Sequence, residues 1–135
     1  MAPSYPFPMR VLGLDHPVLT IRDLDHTRAF YEGCLGMVHE SFGEGRHALR
    51  FGAQKLNLHL LERPVDANVR HATPGSADLC FLAEGPLEAW MARLANHGVA
   101  IITGPITRTG ATGPIRSIYC YDPDENLIEL SVPLG

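Results

Sequence analysis

The chain has 135 residues, 45% of them hydrophobic, with 11 basic and 15 acidic side chains and a formal net charge of −4. That is enough apolar material for a single compact globular domain with a real core. The acidic balance, with no Lys/Arg cluster, argues against nucleic acid or another polyanion as partner, and no apolar run is long enough for a membrane helix. Cys34, Cys80 and Cys120 are odd in number and far apart, which reads as reduced thiols of a cytoplasmic protein.

In chain order, residues 1–10 form a Pro-rich arm without the charged and apolar regions of a signal peptide. Residues 12–21 alternate well enough for a strand, and residues 23–34 read as a helix closed by Leu35-Gly36. After the turn-like Pro74-Gly75-Ser76, residues 77–83 are again strand-like, and residues 86–97 are again helical, closed by Gly98. His16 and Asp78 lie 62 positions apart, as do Gly36 and Gly98, so the chain reads as a duplicated unit. The units run from about 11–66 and 76–133, inside a single domain of residues 11–135.

The ends of the units match too: Leu58-His59-Leu60 and Ile128-Glu129-Leu130 each set one polar residue between two aliphatic ones. The second unit is longer, and residues 104–114, dense in Gly and Pro, are expected to be an inserted loop. Strand parity places Val18 and Thr20 on the face of His16, Asn57 on that of His59, Cys80 and Leu82 on that of Asp78, and Ser131 on that of Glu129. The opposite faces are almost wholly apolar and belong under the two helices.

Four polar groups therefore fall on the first and last strands of two related modules: His16, His59, Asp78 and Glu129. A carboxylate between Ile128 and Leu130 needs a cationic partner, and a metal ion bound by all four is one solution. Arg116 is another candidate partner for Glu129, Asp78 also fits a strand-end hydrogen-bond acceptor, and His16 a hydrogen-bonded strand histidine. The remaining histidines, at 26, 39, 47, 71 and 97, have no repeat counterpart.

The segments Leu14–Leu24, Ala29–Met37 and Asp122–Leu130 closely resemble the vicinal-oxygen-chelate superfamily of glyoxalase I, extradiol dioxygenases, fosfomycin-resistance and bleomycin-binding proteins. Gln54–His59, Pro74–Cys80 and Gly113–Tyr119 are similar to its glyoxalase-domain-containing, biphenyl-diol-dioxygenase-related subgroup. The resemblance implies an α+β fold of two βαβββ modules around a metal-binding cleft, with one ligand from the first and last strand of each module.

In a glyoxalase-like assignment, His16, His59, Asp78 and Glu129 hold a divalent ion (Fe, Mn, Ni, Zn or Co), and a substrate chelates through adjacent oxygens while a carboxylate moves a proton. The expected activity is that of a metal-dependent lyase or isomerase. In an extradiol-dioxygenase-like assignment, position 78 completes a triad with His16 and Glu129, His59 becomes an acid/base and Tyr119 a proton donor or substrate orienter. Asp78 stands there where those dioxygenases carry histidine. The third alternative is a metal-free drug-binding protein like the bleomycin-resistance members. Arg108 and Thr109 are candidates for a lid over an anionic substrate. Exposed sheet edges and the resemblance together imply a homodimer.

Overall fold

In the computed structural model, residues 6 and 8–135 are described, so most of the N-terminal arm expected at residues 1–10 lies outside them. The chain folds into eight strands: β1 (Val18–Ile21), β2 (Val38–Phe42), β3 (Arg46–Phe51), β4 (Gln54–Leu60), β5 (Asp78–Leu82), β6 (Thr103–Thr109), β7 (Pro114–Tyr121) and β8 (Leu127–Pro133). Helix α1 (Leu24–Arg28) continues as a π-helical stretch, Ala29–Cys34, and α2 spans Leu87–Asn96. The strands form two separate sheets, ordered β1-β4-β3-β2 and β5-β8-β7-β6, and neither closes on itself. In each, a parallel first-to-last pairing spans the helix and antiparallel hairpins complete the sheet, which is the repeated α+β unit expected from the sequence.

Local chemistry explains the elements. Asp23 caps α1 by accepting a hydrogen bond from the His26 N–H at 2.8 Å. Gly36, at φ +77°, and Gly98, at φ +71°, take the left-handed conformation that stops the two helical segments. Strand β1 is shorter than the alternation suggested, because His16 and Pro17 precede the ladder, and Pro17 contributes only its carbonyl, to the Asn57 N–H.

Residues 104–114 are not the inserted loop that their Gly and Pro content suggested. They supply most of β6, a short connection at residues 110–113, and the start of β7. The prolines are tolerated because β6 is an edge strand and its pairing with β7 shifts register between Thr103 and Ile106.

The helix-facing sides of both sheets meet in one core. Leu19, Ile21, Leu49, Leu56 and Leu58 join Ile118, Cys120, Ile128 and Leu130 around Phe30, Tyr31, Cys34, Leu87 and Leu94. A polar clasp reinforces the junction: the Tyr31 hydroxyl donates to Asp122 Oδ2 at 2.6 Å, and Arg22 meets Asp124 from its backbone N–H and its guanidinium. Asp122 also accepts from the backbone N–H groups of Asp124 and Asn126 and from the Asn126 amide. Because that core uses one face of each sheet, the faces carrying His59 and Glu129 point away from it.

Candidate metal centre

His16 sits half-buried just before β1, and its Nδ1 lies 2.7 Å from Asp15 Oδ1. That contact holds the Asp15 carboxyl below its usual range and leaves Nε2 as the free ring nitrogen, the arrangement in which a carboxylate orients a ligating histidine. On β4, His59 is half-exposed and its Nδ1 lies 3.4 Å from Asn68 Oδ1. Asp78 opens β5 and is exposed, and Glu129 is half-buried on β8. Arg116 pairs with Glu88 of α2 at 2.7 Å, so it is not the partner of Glu129.

Glu129 is instead held by neutral donors. Ser131 donates to its Oε2 at 3.3 Å, and the same hydroxyl lies 2.7 Å from Ser117 Oγ and 3.2 Å from Cys80 Sγ. A serine hydroxyl has one proton, so once Ser131 gives it to the acceptor-only carboxylate, Ser117 and Cys80 must both donate to Ser131. Cys80 is therefore a thiol here; partial burial, with the nearby charges of Glu129 and Asp78, pushes its pKa up. Ser117 and Ser131 are fully buried. Sequence reasoning put Ser131 on the right face but missed the network, which requires Ser117, on the neighbouring strand, in register with it.

Register also revises one equivalence. Val18, two residues after His16, pairs with Asn57; Cys80, two residues after Asp78, pairs with Glu129. Holding His16 equivalent to Asp78, the counterpart of Glu129 is Asn57, and His59 corresponds to Ser131. The matching Leu-His-Leu and Ile-Glu-Leu patterns suggested His59, displaced by two residues along the same face. Asn57 is 4% exposed, and its Oδ1 is buried without a hydrogen-bond partner among the described residues. An amide oxygen so placed is costly unless something cationic or protic meets it.

The two pairs of candidate ligands lie on different sheets. Among the described residues, no group of three or more His, Cys, Asp and Glu side chains is arranged to hold a metal within one chain. Beside Glu129 is a cavity of about 660 Å³ lined entirely by the second module and the strand end beyond it, including Cys80, Leu82, Arg108, Ile115, Tyr119 and Leu134. Arg108 belongs to β6, and its Nε donates to the Tyr119 hydroxyl at 3.0 Å.

Residues 13–130 match the family model described as the Glyoxalase/Bleomycin resistance protein/Dioxygenase superfamily. The chain belongs to that superfamily. It is 48% identical over 118 residues to the virulence protein STM3117 of Salmonella typhimurium, covering 87% of this chain and 82% of that one. It is 47% identical over 123 residues to the glyoxalase domain-containing protein RDO1 of Mycosarcoma maydis, covering 91% and 69%. The crystal structure of the Salmonella protein superposes with a TM-score of 0.90 over 93% of this chain and 100% of that chain. More distant solved structures share the fold alone: lactoylglutathione lyase of Agrobacterium tumefaciens (24% identity, TM-score 0.70), the Streptomyces antibiotic-binding protein TnmS3 (22%, 0.74) and the Listeria monocytogenes fosfomycin resistance protein FosX with Mn(II) and sulfate (20%, 0.66).

Proposed function

We propose that this superfamily member is a divalent-metal-dependent enzyme of the lyase or isomerase kind, acting on a small molecule that chelates through adjacent oxygens. The observation that carries the reading is the matched placement of Asn57 and Glu129 on the last strands of the two sheets, with His16 and Asp78 leading into the first strands. His16, Asp78 and Glu129 supply three ligands. The last-strand ligand of the first module comes from His59, which is half-exposed, or from Asn57, the register counterpart of Glu129. One imidazole and several oxygen donors suit Mn, Fe, Co, Ni or Zn in six-coordination better than a four-coordinate structural zinc site.

The complete ligand set is formed between two copies, the first sheet of one facing the second sheet of the other. Each chain carries both halves, and a homodimer would hold two such sites. The exposed apolar run Val11, Leu12 and Leu14, immediately before His16, fits a segment that is covered in that assembly.

When bound, the ion acts as a Lewis acid that polarises a substrate oxygen and stabilises charge developing on it. The chain's own residues do the rest. Ser131 fixes one oxygen of Glu129, which leaves the other directed at the ligand or at a substrate proton. Arg108 donates to the Tyr119 oxygen, so the Tyr119 hydroxyl proton is free to be given to substrate. With Asn57 as ligand, His59 becomes an acid/base beside it, the role it has in the dioxygenase alternative.

Metal titration of single variants tests the assignment. Glu129→Ala and His16→Ala lose stoichiometric uptake. Asn57→Ala loses uptake while His59→Ala keeps it, if Asn57 is the ligand; the reverse result restores His59. Retention of one-to-one uptake by Glu129→Ala contradicts the reading.

A further inference from the structure

Arg108 differs from four arginines of the chain in having no carboxylate against it among the described residues, and shares with two others an aromatic neighbour. Arg22, Arg28, Arg50 and Arg116 each lie against a carboxylate, and Arg46 and Arg93 each lie over an aromatic ring. Among the described residues no carboxylate pairs with Arg108. Its Nε is occupied by the Tyr119 oxygen at 3.0 Å, and its guanidinium lies 5.6 Å from the centre of the Tyr119 ring. The planar head is thereby held by one edge, and its terminal nitrogens have no partner among the described residues. That is the fork that receives a carboxylate or phosphonate through two parallel hydrogen bonds.

The setting makes this more than a surface cation. Arg108 lines the same cavity as Glu129, and these two carry the charged side chains of its lining. Leu82, Ile115, Pro133 and Leu134 give the cavity apolar walls. With a divalent cation balanced by the Asp78 and Glu129 carboxylates, Arg108 is left as the uncompensated side-chain charge of the lining, and a neutral ligand would leave it unneutralised.

We propose that Arg108, positioned by Tyr119, is an anion-binding subsite: the ligand is a small organic anion, with a carboxylate or phosphonate on Arg108 and two neighbouring oxygens towards Glu129. This rests on the metal-enzyme reading and names its substrate class. It accounts for the edge strand as well, because β6 carries Arg108 into register with Ile115 of β7, on the cavity wall.

The test uses two probes that share a vicinal-oxygen end and differ by one anionic group: catechol and 3,4-dihydroxybenzoate, titrated calorimetrically into the full-length, Mn(II)-loaded protein. One charge-assisted contact gives the carboxylated probe about a tenfold or greater advantage. Arg108→Gln abolishes that preference, while Arg108→Lys keeps part of it. Equal affinities in the wild type, a preference that survives in Arg108→Gln, or no binding of either probe overturns the subsite. Mn(II) uptake measured on the same samples separates the two claims: absent uptake sinks the metal reading, whereas full uptake without discrimination sinks only the anion subsite.

Discussion

At the scale of single residues, the site depends on protons whose direction is forced. Glu129 can only accept, so Ser131 gives its single proton to it, and Ser117 and Cys80 supply the two that Ser131 accepts. Ser131→Ala removes the group on which this network converges. Metal affinity is expected to fall about 10- to 100-fold, the range for loss of a group that orients a ligand, measured by competition with a chromophoric chelator. Folding stability should fall by only about 1–3 kcal/mol. A variant that loses stability but binds metal as tightly as wild type would show that the network supports the sheet and not the ligand.

Tyr31 makes a prediction at the same scale. Burial first, and then the Asp122 carboxylate that accepts its hydrogen bond, raise the phenol pKa far above its ordinary value. The neutral form is favoured in the folded state, so its contribution is fully present below the unfolded pKa of about 10 and is lost as pH rises beyond it. Tyr31→Phe should cost about 1–3 kcal/mol at neutral pH, and its stability should decline less steeply than wild type above about pH 10. Parallel alkaline denaturation profiles for the two proteins would contradict this account.

At the scale of elements, backbone geometry sets where Arg108 lies. Gly104 has φ +107°, and a Cβ there would run into the Ser117 carbonyl of β7. Gly104→Ala is expected to cost roughly 1–3 kcal/mol of stability and to displace the start of β6. Crystallography or amide exchange across residues 103–109 would show the shift, and an unperturbed β6 would contradict it. The two helices and strands β1, β4, β5 and β8 were legible because Asp23, Gly36 and Gly98 mark ends by local chemistry and the apolar alternation marks faces. Strand β6 was not, since its Gly104 and Pro105 are turn residues anywhere except on an edge. That Asn57 is the register counterpart of Glu129 was hidden for a related reason: the Leu-His-Leu pattern fixes which face a residue takes, but only ladder pairing fixes its position along the strand.

At the scale of the whole molecule, the sequence revealed the duplication and offered polar candidates on matching strands but not how the halves meet. Both polar faces turn away from the shared core, and that follows from which apolar faces pack together, a property of the assembled fold. A site built between copies predicts complementation. Mixing equal amounts of His16→Ala and Glu129→Ala protein under exchange conditions should restore one intact site per heterodimer, and with half of the dimers mixed, metal uptake should rise towards about a quarter of that of wild type. No recovery from a mixture shown by native mass spectrometry to have exchanged would place each site within one chain.

The central claim is that this chain binds a metal through Glu129 and its neighbours. Protein purified without oxygen, stripped, and titrated with Mn(II), Fe(II), Co(II), Ni(II) and Zn(II) should take up one divalent ion per chain, and Glu129→Ala should take up none. Failure of the folded wild-type protein to bind any of the five in stoichiometric amount would contradict the account and leave the metal-free binding-protein alternative standing.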